Sequence, residues 1–360
     1  MSVGSSPARV RLRFSAFRRF IITLLAFVAL GFVSGATALE GKPLHIFFVD
    51  VEGGQATLFV TPDGEALLVD TGWPGNDGRD ADRIVGLAKK AGVSKIDYVL
   101  LTHFHMDHAG GLPQLVARIP VGEVADHGDN RENSDAPTVQ VWKAYQDLVA
   151  AKKIKRVSLK PGDHLPIRGM QVMVLSSDGA VIDHSLPGAG QDNPSCQTAE
   201  QYPADRTENA RSLGTILTFG KLRILDLGDL TRDKERDLVC PKNKIGAVDI
   251  YIVSHHGLDE SNSPAFLNAI SPRVAIMDNG AKKGGTPSAW TNIEEVPHLE
   301  NLWQLHFSEE GGPTHNVPSE FIANLQGPDS ANYLELTARP DGSFEIFNSR
   351  TQNSKKYSAR

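Results

Sequence analysis

The chain has 360 residues, of which 40% are hydrophobic and 22% charged, and its formal net charge is −6. This composition is ordinary for a globular protein, and the length suits one large domain or two small ones. The negative charge argues against nonspecific capture of nucleic acid, which relies on many lysine and arginine contacts to phosphates.

Residues 1–38 have the pattern of a secretory signal peptide. Five arginines between Arg9 and Arg19 precede an apolar run at 20–32, and Ala36-Thr37-Ala38 forms an A-x-A cleavage site. The run is short for a membrane span, so we expect cleavage after Ala38, with an uncleaved anchor as the alternative. Cleavage removes five arginines and no acidic residue, which takes the formal charge from −6 to −11. The predicted location is therefore periplasmic or secreted.

The two cysteines, Cys196 and Cys240, both lie in the part of the chain predicted to be exported. An oxidising compartment and an even number of cysteines favour a disulfide between them. No membrane-spanning segment is predicted after residue 38, and the sequence does not determine an oligomeric state.

Residues 39–360 are predicted to form one domain of alternating strands and helices, with its core at about 44–280 followed by C-terminal strands and a tail. Apolar and β-branched runs predict an antiparallel meander at 45–51, 55–60 and 66–70, and further strands at 96–101, 121–125, 155–159, 165–168, 170–175, 213–219, 222–227, 248–254, 273–277, 302–307, 333–337 and 343–347. Helical spacing predicts helices at 79–91, 112–118, 138–153 and 264–270. The pattern predicts an α/β (α+β) fold in which two mixed β-sheets pack together with helices outside.

The densest chemical signal is the segment His103-Phe104-His105-Met106-Asp107-His108, which follows a predicted strand. His103 and His105 are two positions apart, so they point the same way in extended backbone. Asp107 and His108 follow where the chain turns towards a helix. Imidazole and carboxylate ligands together suit Zn, and also Fe, Mn or Ni, so we expect a metal site here.

Further polar residues follow other predicted strands. Asp70 ends the third strand, Asp229 follows the strand at 222–227, and His255-His256 follow the strand at 248–254. Because sites in layered α/β folds form where strand ends and loops meet, we expect one site assembled from these separate pieces.

These motifs resemble the metallo-β-lactamase fold hydrolase superfamily. Residues 102–108 are similar to its T-H-x-H-x-D-H signature, 70–72 to its D-T-G, 228–229 to its later G-D, and His255 to its final histidine. The resemblance is strongest to the extracytoplasmic domain of ComEC-type DNA-uptake proteins and their free-standing relatives. Residues 48–56 are similar to that branch's D-V-G-Q-G-D-A, 209–212 to its N-x-x-S, and 254–263 to its H-H-G-S-x-x-S.

The resemblance implies a two-metal hydrolase in a four-layer αββα sandwich. It assigns His103 and His105 to one ion, and Asp107, His108 and His255 to the second, with Asp229 bridging them. Asp70 would fix the ligand loop by hydrogen bonds. Zn²⁺, as one or two ions, is the expected cofactor, with Mn or Fe as alternatives.

One departure from the family concerns the histidine that many members carry directly after the strand at 170–175. This chain has Ser176-Ser177-Asp178 there. His184 and His127 are the tentative substitutes, although a surface histidine is the simpler interpretation of each. The first metal site would otherwise be open.

The predicted reaction is hydrolysis by a metal-activated water, with a small phosphodiester or related phosphoester as the first choice of substrate. Asp107 could orient the nucleophile, while His256, Asn209 and Ser212 are candidates for holding substrate or stabilising developing charge. A β-lactamase or other amide or ester hydrolase is the alternative enzyme. A metal-stabilised binding module without turnover is the alternative of another class.

Overall fold

A computed structural model describes residues 1–6 and 41–360. The domain contains two β-sheets, and the first consists of strands from both ends of the domain. Its strands are β1 (Leu44–Phe48), β2 (Thr57–Val60), β3 (Ala66–Val69), β4 (Ile96–Leu100), β5 (Val121–Asp126), β6 (Lys155–Ser158), β16 (Leu334–Ala338), β17 (Phe344–Asn348) and β18 (Asn353–Tyr357). The spatial order is β18-β17-β16-β1-β2-β3-β4-β5-β6. Pairing is antiparallel from β18 to β3 and parallel from β3 to β6, so the sheet is mixed.

The second sheet is mixed as well. Its strands are β7 (His164–Leu165), β8 (Gln171–Ser177), β9 (Ala180–Val181), β10 (Gly214–Phe219), β11 (Leu222–Asp226), β12 (Ile250–Ile252), β13 (Val274–Met277), β14 (Asn301–His306) and β15 (Ile322–Asn324). The order is β15-β14-β13-β12-β11-β10-β8-β7, with β9 paired to β8. Strands β11 to β15 run parallel, and the predicted hairpin of β10 and β11 is antiparallel.

Three hydrophobic cores separate four layers. One core lies between the sheets, and each sheet packs its other face against helices. The helices are α1 (Arg79–Lys90), α2 (Met106–Ala109), α3 (Leu112–Val116), α4 (Ala136–Ala150), α5 (Arg232–Val239), α6 (Pro264–Ile270) and α7 (Pro287–Glu294). All residues of β3 and β13 are buried, as expected for short apolar strands covered on both faces. The predicted sandwich of two mixed sheets with outer helices is confirmed.

The C-terminal tail completes both sheets, which the sequence did not predict. Strands β14 and β15 extend the second sheet, and β16 pairs with β1 in the first. The predicted disulfide between Cys196 and Cys240 is present and ties the long loop before β10 to the end of α5. The predicted signal peptide falls largely on residues 7–40, outside the described residues. Within the described residues, no helix has the length and apolarity needed to cross a bilayer.

Candidate metal centre

Parallel neighbouring strands bring the predicted site residues to one edge of the two sheets. Strands β3 and β4 lead to Asp70 and the histidine segment, while β11 and β12 lead to Asp229 and His255-His256. The carboxyl ends of parallel neighbours lie at the same edge, so four separate pieces of sequence can meet there. Close backbone approach helps: a Cβ on Gly228, whose φ is +55°, would lie 2.7 Å from Thr102 Cβ.

Four buried side chains form a group that we call the central cluster: Asp107, His108, Asp229 and His256, whose ligand atoms lie within 4.8 Å of one another. His108 Nε2 is 3.1 Å from both Asp229 Oδ2 and His256 Nε2. Asp107 Oδ2 is 3.3 Å from His108 Nε2 and 3.2 Å from His256 Nε2. Two imidazoles and two carboxylates therefore converge on one small volume.

Asp70 fixes the orientation of His108 by a hydrogen bond to the ring nitrogen that faces away from the cluster. His108 Nδ1 donates to Asp70 Oδ2 over 2.7 Å, and Asp70 also accepts from the backbone amide (2.8 Å) and hydroxyl (2.6 Å) of Thr102. The carboxylate thus sets the ring orientation that turns His108 Nε2 towards the cluster, an arrangement common behind metal-ligating histidines.

His256 takes the place in the central cluster that the sequence led us to expect for His255. Both residues have left-handed backbone, with φ of 57° and 54°, in a tight turn after β12. The turn places His256 Nε2 3.5 Å from Asp229 Oδ1, and its ring is almost fully buried. His255 Nε2 lies 3.5 Å from Asp229 Oδ2 and accepts from Asn209 Nδ2 at 3.3 Å. Such strained backbone in non-glycine residues is typical of functional sites.

His103 and His105 lie beside the central cluster. The His103 ring centroid is 4.1 Å from that of His108 and 4.6 Å from that of His105, and His103 Nε2 is 3.9 Å from Asp229 Oδ2. His105 Nε2 donates to Glu132 Oε2 over 3.0 Å. That contact occupies Nε2, so only Nδ1 of His105 could bind an ion without breaking it.

Burial and neighbouring charges shift the pKa values of these rings in opposite directions. Burial opposes a charge on His108 and His256, but Asp229 and Asp107 raise the pKa of His108 well above its usual range and that of His256 to about 10. Burial, reinforced by His108, lowers the pKa of His103 well below its usual range. His103 would therefore be neutral before a divalent ion binds, whereas His108 and His256 would release protons on binding.

The comparisons with known proteins agree with this geometry. The family model described as Metallo-beta-lactamase superfamily matches residues 49–192. Over those residues this chain is similar to the metallo-beta-lactamase superfamily. ComE operon protein 3 of Bacillus subtilis (strain 168) is 24% identical to it over 69% of this chain and 30% of the relative. Recombination protein 2 of Haemophilus influenzae is 24% identical over 80% of this chain and 29% of the relative.

These matches confirm the predicted resemblance to the superfamily and to its ComEC-like branch. The chain spans less than a third of the length of these two relatives. Among solved structures, the metallo-beta-lactamase fold protein YhfI from Bacillus subtilis aligns with 73% of this chain and 96% of its own, at 12% identity and a TM-score of 0.45.

The side chains present at this site fit a divalent metal. His103 Nε2 and Asp229 Oδ1 are buried without a hydrogen-bond partner among the described residues. Because buried polar atoms are normally paired, these two atoms are explained if they bind an ion. The donor set of imidazole nitrogens and carboxylate oxygens supports a divalent transition metal without distinguishing Zn from Mn or Fe.

The remaining predicted residues of the domain occupy varied positions. Ser212 is fully buried, and its hydroxyl accepts from the backbone amide of Asp229 at 3.2 Å, which suits positioning rather than substrate contact. His127 Nε2 donates to buried Glu208 over 2.8 Å, and His184 is an exposed partner of Asp183. Neither of these two histidines belongs to a group of close ligand atoms in the described residues.

Sequence reasoning missed three residues at the site. Glu132 contacts His105, and Glu208 accepts from the backbone amide of Phe104 within the histidine segment. Lys283 contacts Asp107 Oδ2 from the loop after β13. All three lie in loops without periodic pattern; the one available signal was the polarity of Lys282-Lys283 between glycines.

Proposed function

We propose that this protein is an exported, metal-dependent hydrolase that uses a metal-activated water to cleave a phosphodiester or a related small phosphoester. The observation that carries the proposal is the central cluster, together with the buried Nε2 of His103 beside it, which has no hydrogen-bond partner in the described part of the chain. Divalent ions bound there would supply Lewis acidity and a hydroxide nucleophile near neutral pH.

We assign the residues to two neighbouring subsites. Asp107, His108 and His256 would hold one ion, His103 and His105 the other, and Asp229 lies between the two sets. This assignment gives His256 the ligand role, because its Nε2 lies 3.2 Å from Asp107 Oδ2 and 3.1 Å from His108 Nε2. His255 and His256 are equally distant from Asp229, at 3.5 Å.

Other residues position these ligands or face the substrate. Asp70 orients His108, and the Ser212 hydroxyl holds the backbone at Asp229. Asn209 donates to His255, and its amide oxygen is buried without a hydrogen-bond partner in the described part of the chain. We therefore place Asn209 and His255 on the substrate side of the centre, where an amide dipole and an imidazole can contact a reacting oxygen.

The substrate class and the location rest on separate observations. The ComEC-like resemblance favours phosphodiester chemistry, whereas the acidic net charge favours small phosphoesters over long nucleic acids. Export is supported by the signal-peptide pattern and by the disulfide, which is typical of oxidising compartments.

The test combines metal analysis with a small substrate panel. We expect the purified protein to retain a divalent ion after dialysis and to hydrolyse bis-p-nitrophenyl phosphate, and the double variant His103→Ala/Asp107→Ala to lose both properties. Turnover of nitrocefin instead would indicate a β-lactamase, and bound metal without any turnover would indicate a binding module. Full metal content and activity in the double variant would overturn the assignment.

A further inference from the structure

Lys283 reaches the metal centre from a loop that neither the histidine segment nor the strand-end motifs include. Its ammonium group contacts Asp107 Oδ2, the same oxygen that faces His108 and His256. A turn closed by the Gly280 amide donating to the Lys283 carbonyl at 2.9 Å fixes the start of the side chain. The conformation of this loop therefore directs the Lys283 side chain towards Asp107.

The surroundings of Lys283 place its charge at the mouth of the centre. Its Nζ lies 5.3 Å from the centroid of the Trp73 ring, and 28% of its side chain is exposed to solvent. The neighbouring Lys282 is exposed. Lys283 is thus held between a buried carboxylate on one side and an aromatic face on the other.

An ammonium group has three donors, and Asp107 uses one of them. The partial exposure of Lys283 leaves room for an anionic oxygen to approach the remaining donors. Divalent ions beside Asp107 and Asp229 would add positive charge to the same volume, and lysine is a common point-charge partner of phosphate. A neutral ester would gain little from this arrangement.

We propose that Lys283 binds a nonbridging oxygen of the phosphoester and so makes the centre selective for anionic phosphoesters over neutral esters. This inference rests on the proposed function for its substrate, but binding of the anion can be measured without turnover. Lys283 acts as a substrate-binding residue, with Asp107 and Trp73 fixing its position.

The experiment measures inorganic phosphate binding to the metal-loaded protein by isothermal titration calorimetry. We compare wild type, Lys283→Met and the matched control Lys282→Met, after confirming their metal content. We expect phosphate affinity to fall about tenfold or more in Lys283→Met, because a charged hydrogen bond is lost, and to stay unchanged in Lys282→Met. Lys283→Arg should retain part of the affinity.

Several outcomes overturn the proposal. Equal phosphate binding by wild type and Lys283→Met does so, as does the absence of phosphate binding by wild type. Tighter metal binding with unchanged phosphate binding would show that Lys283 only neutralises Asp107. If phosphate binding depends on Lys283 but no phosphoester is hydrolysed, the proposed function fails while the binding role stands. If hydrolysis occurs and Lys283→Met preserves the preference for bis-p-nitrophenyl phosphate over p-nitrophenyl acetate, the inference alone fails.

Discussion

The described residues contain two groups of closely spaced histidine and carboxylate atoms, and they differ in what balances their charge. One is the central cluster; the other, here the outer cluster, consists of Asp50, Glu52 and His306. In the outer cluster, Arg83 Nη1 is 3.2 Å from Asp50 Oδ2 and also donates to the Asp50 carbonyl. A guanidinium stays protonated, so this negative charge is permanently compensated.

The central cluster is balanced mainly by imidazoles, which can release protons when an ion binds. Lys283 adds one further positive charge, which contacts Asp107 of this cluster. The outer cluster has a different use: His306 at the end of β14 donates to Asp50 after β1 at 2.7 Å, which joins the two sheets. Proximity of ligand atoms is therefore insufficient to identify a metal site. The kind of positive charge beside the carboxylates, imidazole or guanidinium, distinguishes the central cluster from the outer cluster.

The largest expected effect is on the metal content of the protein, which should depend on the central cluster and not on the outer cluster. Asp229→Asn should weaken divalent metal binding by more than about 100-fold, beyond the range for residues behind a ligand, and reduce hydrolysis to background. His306→Gln should leave metal content unchanged. Elemental analysis after dialysis measures both. Metal loss in His306→Gln with retention in Asp229→Asn would reverse the comparison.

Asp50→Asn tests whether the outer cluster stabilises the folded protein. The substitution leaves the mostly buried Arg83 without one carboxylate, although Arg83 also pairs with Asp329. Breaking a buried ion pair costs about 3–5 kcal/mol, and we expect the lower end of that range. Urea unfolding in excess EDTA measures the change.

The control for that experiment is Asp82→Asn, which removes a pair between Asp82 and Arg118 at the surface. Exposed pairs contribute under about 1 kcal/mol. Equal losses in the two variants, or loss of bound metal in Asp50→Asn alone, would contradict a purely structural role for the outer cluster.

The sequence predicted the parts of the central cluster that depend on local order. Asp107 and His108 lie within one short segment, and Asp229 follows a strand whose end had to meet the same sheet edge. The choice between His255 and His256 depends on two consecutive left-handed residues, a conformation that sequence does not specify.

Long-range pairing explains what else was missed. Of the tail strands, β14, β16 and β17 were predicted and β15 and β18 were not. The pairing of β16 with β1 joins segments almost three hundred positions apart. Likewise, Glu132 and Lys283 reach the centre from irregular loops, where no periodicity constrains side-chain direction. Periodicity and strand-end rules therefore predict the layers and the meeting of Asp107, His108 and Asp229, but not the residues that surround them.

Glu132→Gln sharpens the comparison, because a histidine beside the central cluster donates to a carboxylate, as His306 does in the outer cluster. Beside the central cluster this pair is His105 and Glu132. Loss of the charge should loosen the orientation of His105 and weaken metal binding by about 10–100-fold. Competition with a chromogenic chelator measures the affinity. Asp183→Asn, in the exposed His184 pair, is the matched control and should change nothing; equal affinities in all three proteins would refute the role of Glu132.

The smallest expected effect concerns pH and the outer cluster. Burial and the neighbouring Asp50 raise the pKa of Glu52 above its ordinary value of 4.5. The folded state therefore holds this proton more tightly than the unfolded state, and the resulting stability is present below pH 4.5 and lost as pH rises through the folded pKa. In EDTA, Glu52→Gln should thus gain stability relative to wild type with rising pH, by about 0.5 kcal/mol. Urea unfolding between pH 4 and 8 measures the difference, and titration of the central cluster, common to both proteins, cancels in it. A difference that stays constant across this range would mean that burial and Asp50 do not raise the pKa of Glu52 in the folded protein.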